Sequence, residues 1–494
     1  MSDARDLRMA AGGELARRFP VPWLDEHAVL PLEATADGQV RVAADGPVAP
    51  QVLDMLARRL GAPITVVPTE AGAIRAALLA VPRLASPASD DRTAESAEEL
   101  RALASREPVV QVVDALFAEA VRAGASDIHL ESEPEALRVR IRLDGVLQDT
   151  QRLGAEFRAA VISRLKVLAG LDIAERRLPQ DGRTQITVDR RPLDVRVATL
   201  PALHGESVVL RLLDAGEEGP RTLEALGFSP ALLPAWRQAL HAGSGLLLVS
   251  GPTGSGKTTT LYASLRERST PGVKVVTVED PVEVRLDGAV QLPVNLRTGF
   301  TFAQALRAML RHDPDVLLVG EMRDAETAEI AVRAALTGHL VLSTVHTTDA
   351  VGALVRLRDM GLAPYLLAAT LRAVLAQRLV RRVCPQCAVA RAPDAAEGAV
   401  LQEAGMTVTR VMEGHGCDAC RGTGFRGRLA VGELLTVSDA LTDAFSAGAP
   451  LGTLRAVARA SGVRPLRHAG LDGVANGHTT VAEVMRVTDG DPLA

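Results

Sequence analysis

Apolar and polar positions divide the middle of the chain into short apolar runs and longer amphipathic stretches. Short apolar runs bounded by turn residues are typical of buried strands, whereas apolar positions three and four residues apart indicate helices. The predicted strands are residues 246–250, 273–279, 316–319 and 340–345. Strands that alternate with helices in this way form a parallel sheet covered by helices, so residues 216–383 predict an α/β domain of that kind.

The preceding segment has a different pattern. Apolar residues recur at helical spacing over residues 109–120 and predict an amphipathic helix. The period changes to two over residues 137–143, where apolar side chains alternate with arginine, and the Asp-Gly pair at 144–145 is a strong hairpin signal. Residues 193–197 repeat the alternation. We expect an α+β domain over residues 108–215 with a basic sheet face, whose arginines either serve a ligand or are simply solvated.

Three further regions are distinguished by pattern and composition. Residues 1–83 predict a small α/β domain, in which two short strands precede a helix that ends near Leu60. Residues 84–107 are rich in serine, proline and acidic residues and predict a linker. Residues 384–428 contain all four cysteines, and residues 429–494 are expected to be helical.

Composition narrows the classes of function. The 494 residues carry a formal net charge of −5 and only 2% aromatic residues. Nucleic-acid binding usually needs a basic surface and, for single strands, aromatic stacking platforms, so we expect no nucleic-acid partner. No uncharged apolar run reaches the roughly 18 residues that a membrane helix needs, and residues 1–11 lack the apolar core of a secretory signal. We therefore expect a cytoplasmic protein.

The strongest chemical signal follows the first strand of the predicted α/β domain. Residues 251–258 read GPTGSGKT and match every fixed position of the phosphate-binding loop G-x-x-x-x-G-K-[ST]. Its glycines let successive backbone N–H groups face the phosphates, Lys257 reaches the terminal phosphates, and Thr258 can ligate Mg²⁺. The predicted ATP-binding residues are Gly251, Pro252, Thr253, Gly254, Ser255, Gly256, Lys257, Thr258 and Thr259. The pattern predicts a nucleotide triphosphatase.

Two other predicted strands end in carboxylates. Residues 315–321 form an apolar strand that ends at Glu321, as in a Walker B segment, and residues 276–283 form another strand that ends in carboxylates, so that Glu279 or Glu283 could share its task. Carboxylates at such positions hold the magnesium shell or orient the attacking water. The pattern leaves the division of these roles between Glu279 and Glu321 open. His346 follows a strand whose end faces the same crevice, so it is a candidate to sense the γ-phosphate.

The cysteines fall into two C-x-x-C pairs. Cys384 with Cys387 and Cys417 with Cys420 supply four thiolates, which is the ligand set of a tetrahedral zinc site. Disulfides are rare in cytosolic proteins, and four thiolates leave no open position for water. We therefore predict a structural zinc ion, with free or redox-active thiols as the alternative.

Taken in order, these motifs resemble those of type II secretion ATPases and the related type IV pilus extension motors. The resemblance extends from about residue 108 to residue 487. Its motifs are the phosphate-binding loop, an aspartate box at 277–283, residues 306–315 leading into the Walker B segment, a histidine box at 337–349, residues 376–381 before the first cysteine pair and residues 424–428 after the second. The resemblance implies a RecA-like P-loop NTPase core, preceded by a PAS-like α+β domain and an N-terminal docking domain, and followed by a zinc-knuckle and helical part.

The resemblance also implies a mechanism. In this family the domain before the ATPase core donates arginines to the phosphates, and the matching positions here are Arg196 and Arg211. The expected catalytic set is therefore Glu321, Glu279, Lys257, Arg196, Arg211 and His346. Family members form homo-hexamers that use ATP, Mg²⁺ and Zn²⁺ and move an inner-membrane platform protein, while the N-terminal domain binds a membrane docking protein. We expect peripheral attachment to the inner membrane through these partners.

The sequence supports assembly of a pseudopilus for type II secretion, with type IV pilus extension as the alternative. A pilus retraction motor fits less well, because such motors generally lack the cysteine pairs and the additional N-terminal domain. A non-hydrolysing nucleotide-gated scaffold and a DNA translocase are the hypotheses from other classes. The carboxylates that could hold Mg²⁺ or orient the attacking water argue against the scaffold. The lack of an overall positive charge argues against the translocase.

Overall fold

The computed structural model describes most of the chain and divides it into two units. The described residues are 15–16, 19, 23–24, 27–35, 37–80, 97–213, 222–295 and 298–488. The two units are residues 1–99 and 100–494.

The N-terminal unit is built on a three-stranded sheet. Its elements are β1 Val29–Ala34, β2 Val40–Ala44, α1 Pro50–Leu60, β3 Ile64–Pro68 and α2 Ala71–Ala80. β1 and β2 are antiparallel, whereas β2 and β3 are parallel. Leu30, Val42 and Leu56 are buried in its core. This is the small α/β fold that the apolar pattern predicts.

The segment predicted as a linker differs in part from that expectation. Residues 97–104 form helix α3 Ala97–Ala104, whereas residues 84–96 lie outside the described residues. Leu100 and Ala104 are buried. This short helix therefore has a buried apolar side. The prediction missed it because it relied on the serine and acidic content of the whole segment.

A six-stranded antiparallel sheet forms the predicted α+β domain. Its strands are β4 Asp127–Ser132, β5 Ala136–Leu143, β6 Val146–Gly154, β7 Gln180–Val188, β8 Arg191–Ala202 and β9 Gly205–Leu213. Their order is β6-β5-β4-β9-β8-β7. Helices α4 Glu107–Ala123 and α5 Ala155–Leu168 share a hydrophobic core with the sheet. Because side chains alternate between the two faces of a strand, the polar positions lie together on the opposite face.

The short apolar runs form the centre of a seven-stranded sheet. Its strands are β10 Gly245–Ser250, β11 Val275–Glu279, β12 Ala289–Pro293, β13 Val316–Val319, β14 Leu340–Val345, β15 Leu371–Val383 and β18 Phe425–Thr436. Their order is β12-β11-β13-β14-β10-β15-β18, and only the pair β15 and β18 is antiparallel. Every residue of β10, β11, β13 and β14 is buried, as in parallel sheets whose two faces are both covered.

Helices pack on this sheet, and a cysteine-containing excursion leaves it between β15 and β18. The helices of the core are α6 Leu232–Leu240, α7 Lys257–Arg268, α8 Phe302–Met309, α9 Ala325–Leu336, α10 Ala350–Asp359 and α11 Pro364–Thr370. The excursion contains β16 Ala388–Arg391, α12 Ala395–Glu403 and β17 Val411–Gly414. β16 and β17 form an antiparallel pair.

The region after the excursion is helical only from Asp439. Its helices are α13 Asp439–Ser446, α14 Leu451–Ala460, α15 Leu466–Ala475 and α16 Val481–Thr488. The prediction of a helical part starting at residue 429 is wrong for residues 429–436, which belong to β18 and pair with β15. Glycines and arginines interrupt the alternation in this strand, so the partner strand determines its conformation. Over the residues with a described structure, no helix is both long and apolar enough to span a bilayer.

The parallel strands bring the candidate motifs to one edge of the sheet. The phosphate-binding loop follows β10, Glu279 is the last residue of β11, Glu321 follows β13, and His346 follows β14. These four strands are neighbours in the order β11-β13-β14-β10. Ligands of open α/β sheets bind outside the carboxyl ends of the strands, which is where these residues lie.

Candidate active site

A cleft of about 990 Å³ is lined both by the carboxyl edge of the central sheet and by the polar face of the six-stranded sheet. Predicted site residues in its lining are Pro252, Thr253, Gly254, Ser255, Gly256, Lys257, Thr258, Thr259, Glu279, Glu321, His346, Arg196 and Arg211. Gly251, the first residue of the loop, borders them. The fold therefore brings residues from distant parts of the sequence into one site.

The phosphate-binding loop needs glycine at three positions for backbone reasons. Gly251, Gly254 and Gly256 have φ angles of 145°, 80° and 86°, which side-chain-bearing residues rarely adopt. At Gly251 a Cβ atom would also lie 2.5 Å from Ser255 Oγ and 2.6 Å from the carbonyl oxygen of Gln377. Gly256 is the N-cap of α7, so the loop ends at a helix N-terminus, where backbone N–H groups favour anions.

Lys257 is buried at the first turn of α7. Its Nζ donates hydrogen bonds to the carbonyl oxygens of Gly251 and Pro252 at 2.8 and 2.9 Å. Burial is the main cause that lowers the pKa of Lys257 to about 8; Glu321 acts in the opposite direction, and Arg378 makes a smaller contribution to the lowering. The ammonium group is therefore held over the loop in an environment that favours a negative ligand.

Gln377 braces the loop from β15, and the sequence patterns did not single it out for this task. Its Nε2 donates to the carbonyl oxygen of Ser255 at 2.6 Å, and its Oε1 accepts from Thr260 Oγ1 at 2.8 Å. The side chain is fully buried. The motif at residues 376–381 includes Gln377, but its partner Ser255 is 122 positions away in the sequence. No local pattern could therefore predict the contact.

Glu321 lies beside an arginine and a histidine. It forms an ion pair with Arg323, and His346 Nε2 lies 3.8 Å from its Oε2. Burial, followed by the charge of Lys257, lowers the pKa of His346, although Glu321 acts in the opposite direction. The imidazole is therefore neutral at pH 7, and it can accept or donate a hydrogen bond beside the carboxylate.

Glu279 is the more constrained carboxylate. It is buried, and Thr277 Oγ1 and Gln291 Nε2 donate to its Oε1 at 2.6 and 3.2 Å. The hydroxyl of Tyr262 donates to its Oε2. Burial, together with the hydrogen bond to Glu279, raises the pKa of Tyr262. Both carboxylate oxygens thus already accept hydrogen bonds from the protein.

The polar face of the six-stranded sheet contributes a row of charged side chains. Arg211 donates from Nε to Asp127 Oδ1 at 3.0 Å, and Arg142 Nε lies 3.5 Å from Asp127 Oδ2. Ser126 Oγ also donates to Oδ2 of Asp127 at 2.8 Å. Asp127 and Arg142 line the cleft beside Arg196 and Arg211. The sequence analysis missed Asp127, whose only signal was an acidic residue at the start of a strand.

The cysteines form a second candidate site in the excursion. Their four sulfur atoms all lie within 4.8 Å of one another. Sγ–Sγ separations are 3.9 Å for Cys384 with Cys417, 3.8 Å for Cys387 with Cys420, and 3.7 Å for Cys417 with Cys420. Separations of this size suit four thiolates around one tetrahedral ion with metal–sulfur bonds of about 2.3 Å, so the cluster can bind a metal.

Backbone donors favour the thiolate form of one cysteine. Burial raises the pKa of the Cys420 thiol, but the N–H groups of Cys417 and Gly424, 3.1 and 3.3 Å from its Sγ, together with hydrogen bonds from the thiols of Cys417 and Cys387, lower the pKa to about 6. Metal ligation requires thiolates, so this geometry fits a metal knuckle.

Family models match nearly the whole described chain. The model described as type II/IV secretion system protein matches residues 102–486, and the MshEN domain model matches residues 6–86. The type II secretion system protein HxcR of Pseudomonas aeruginosa is 48% identical over 381 residues, which are 77% of each chain. The type II secretion system ATPase E of Vibrio cholerae is 45% identical over 381 residues, covering 77% of this chain and 75% of the relative.

Solved structures are similar in fold. The pilus retraction motor PilT with bound ADP has a TM-score of 0.50 and 25% identity, covering 76% of this chain and 96% of its own. The ATPase DotB of Legionella pneumophila has a TM-score of 0.54 and 20% identity, covering 77% of this chain and 94% of its own. The second likeness shows the fold alone. Together they agree with the expected RecA-like core preceded by an α+β domain.

Proposed function

Since this chain belongs to the type II/IV secretion system protein family and is a secretion ATPase, we propose that it is a hexameric motor that couples ATP hydrolysis to pseudopilus assembly in type II secretion. One observation carries the proposal. The phosphate-binding loop, the Glu321 carboxylate and two arginines of the preceding domain line a single cleft. Such a site contains both halves of a phosphoryl-transfer centre, the phosphate cradle and the cations that balance developing charge.

ATP binds with its phosphates on residues 251–259. The N–H groups at the start of α7 face the β- and γ-phosphates, and Lys257 exchanges its two carbonyl acceptors for phosphate oxygens. Thr258 supplies its hydroxyl to Mg²⁺, which neutralises phosphate charge when it is bound. The cleft contains oxygen donors of the kind that Mg²⁺ prefers, in Thr258 and Glu321.

We assign the water-positioning role to Glu321. Its carboxylate lies beside Arg323 and the His346 imidazole, whereas both oxygens of Glu279 are occupied by protein donors. In hydrolysis the water oxygen bonds to the γ-phosphorus, the bond from that phosphorus to the β,γ-bridging oxygen breaks, and a proton is released to solvent. Glu321 orients this water, His346 senses the γ-phosphate, and Glu279 positions the strand end.

Arg196 and Arg211 complete the site from the α+β domain. Guanidinium groups bind phosphate oxygens in a bidentate way and remain charged at all relevant pH values. Because these arginines belong to a different domain from the loop, binding and loss of the γ-phosphate change the attraction between the two domains. That change is the source of movement in the proposed motor.

The remaining parts of the proposal concern metals and partners. The four cysteines bind one structural zinc ion, which ties the excursion of residues 384–428 to the end of β15. The N-terminal unit binds a membrane docking protein, and the hexamer moves an inner-membrane platform protein. The motor is then cytoplasmic and held at the inner membrane by these partners. Similarity to type II secretion system proteins supports this part, because a secretion system consists of several proteins that act together.

ATP turnover by the full chain tests the enzymatic part. Wild-type protein should release phosphate from Mg-ATP, Lys257→Ala should not, and Lys274→Ala, at an exposed lysine outside the cleft, should behave as wild type. Normal turnover in Lys257→Ala would refute the assignment. Recovery of the platform protein from membranes with Lys257→Ala, followed by its identification, tests the secretion part separately.

A further inference from the structure

Three arginines lie side by side across the polar face of the six-stranded sheet. Arg183 on β7 is directly opposite Arg196 on β8, and Arg196 is directly opposite Arg211 on β9. Opposite side chains on antiparallel strands are about 5 Å apart at Cβ, and like charges in such pairs are destabilising. A row of three guanidinium groups therefore attracts an anion.

Among the described residues, a directly paired carboxylate is found only at one end of the row. Arg211 is paired with Asp127. Arg183 and Arg196 have no hydrogen bond or ion pair to any residue that the structure describes, and Nε of Arg196 is buried without a partner. Burial and then the charges of Arg183 and Arg211 lower the pKa of Arg196, and Glu283 and Asp280 offset this only in part.

A second cavity lies against this row. It has a volume of about 450 Å³, and its lining includes Arg183, Arg196, Arg211 and Asp181. Arg196 and Arg211 also line the nucleotide cleft, but Arg183 lines only the second cavity. The two cavities therefore share Arg196 and Arg211. Arg183 lies at the end of the row that is farther from the nucleotide cleft. A space of this size holds an oxyanion with several waters, since one water occupies about 30 Å³ of liquid.

We propose that the second cavity is a transient binding site for inorganic phosphate that leaves the nucleotide cleft after hydrolysis. This inference rests on the proposed function. Arg196 and Arg211 contact the γ-phosphate before cleavage, and the freed orthophosphate dianion moves along the row until Arg183 binds it. Asp181 lines the same cavity, and its negative charge weakens the hold on a dianion, so phosphate escapes to solvent rather than remaining bound.

Phosphate binding to the Mg-ADP complex of the full chain tests this site without any need for turnover. Inorganic phosphate is titrated in low-salt buffer, and binding is followed by the broadening of its ³¹P resonance. Arg183→Ala should raise the apparent Kd for phosphate about tenfold, the effect of losing one charge-assisted hydrogen bond. Arg191→Ala is the matched control, because Arg191 is an exposed arginine in the same hairpin but lines neither cavity.

Product inhibition provides the second measurement. Arg183→Ala should raise the inhibition constant of phosphate to a similar degree and leave KM for ATP unchanged, because Arg183 does not line the nucleotide cleft. Arg183→Lys, which keeps the charge, should fall between wild type and Arg183→Ala. Equal phosphate affinity in Arg183→Ala and Arg191→Ala would overturn the proposal, as would an equal rise in KM for ATP. Absence of ATP turnover in the wild type would instead refute the proposed function.

Discussion

The carboxylate of Asp127 accepts a hydrogen bond from Nε of Arg211 at 3.0 Å across the strand pair β4 and β9. The Asp127 side chain is only 7% exposed, whereas that of Arg211 is 54% exposed. The carboxylate thus anchors one edge of the guanidinium group and leaves its other nitrogens free for the cleft. Asp127 is a positioning residue, because it acts on the nucleotide through Arg211.

Replacing Asp127 should weaken catalysis without removing any group that touches ATP. Asp127→Asn keeps the shape and loses the charge, so Arg211 should become mobile and kcat/KM for ATP should fall about tenfold, the cost of one weakened charge-assisted contact. Asp149→Asn, which breaks an exposed pair with Arg138 in the same domain, is the control. An unchanged kcat/KM in Asp127→Asn would contradict the positioning role.

The lowered pKa of Lys257 should make nucleotide binding depend on pH. Its pKa is about 8 in the nucleotide-free structure, and triphosphate charge next to the ammonium raises it. ATP affinity should therefore be constant below pH 8 and fall as the pH rises above 8, with proton uptake on binding. Calorimetry at pH 8.5 in two buffers of different ionisation enthalpy measures this uptake. Lys257→Arg, which stays charged, should show no uptake from this site; equal uptake in both proteins would exclude Lys257 as its source.

The two carboxylates should respond differently to neutralisation. Glu321→Gln should lower the single-turnover rate by about 10²–10⁴-fold while ATP still binds, because the water loses its orienting base. Glu279→Gln should mainly destabilise the core, by about 1–3 kcal/mol, because three donors lose a charged acceptor. Single-turnover rates and denaturant titrations of both variants separate these effects. The opposite pattern would assign the water-positioning role to Glu279.

Metal removal should destabilise the excursion before it affects the nucleotide site. Metal analysis should find one zinc ion per chain, and Cys417→Ser should lose it, because a thiolate ligand is replaced by a hydroxyl that is a poor ligand for zinc. The loss should increase hydrogen exchange in β16, β17 and α12. Restoring zinc to chelator-treated wild type should reverse the effect. Wild-type protein that contains no zinc would require another role for the four thiols.

Breaking a buried ion pair should destabilise the α+β domain. Lys166 Nζ lies 2.5 Å from Glu206 Oε1 and donates to the carbonyl oxygen of Glu175 at 2.7 Å. Lys166→Met leaves a buried carboxylate without a partner, which costs about 3–5 kcal/mol. Hydrogen exchange in α5 and β9 measures the local loss.

Two further variants test whether the charge itself is the cause. The double variant Lys166→Met with Glu206→Gln should recover part of the loss, because no unpaired charge then remains buried. Arg138→Met, at an exposed pair of the same domain, should change little. A loss in the double variant as large as in Lys166→Met would instead indicate lost packing.

Local sequence determined those parts of the site whose geometry depends on neighbouring residues. The phosphate-binding loop is an example, because Gly251, Gly254 and Gly256 allow backbone angles that other residues avoid. The bounds of β13 and β14 were predicted correctly, since fully buried strands read as continuous apolar runs. The paired spacing of the cysteines likewise predicted a cluster that the fold assembles.

Other features were decided only by tertiary structure. Residues 429–436 were expected to be helical but form part of β18, because pairing with β15 outweighs their weak local preference for a helix. Gln377 reaches Ser255 across 122 positions, and Asp127 reaches Arg211 across 84; neither contact has a local signal. The row of Arg183, Arg196 and Arg211 depends on strand register. Short-range patterns therefore determined which chemistry the chain carries, while hydrogen-bonded pairing of distant strands determined which side chains meet to perform it.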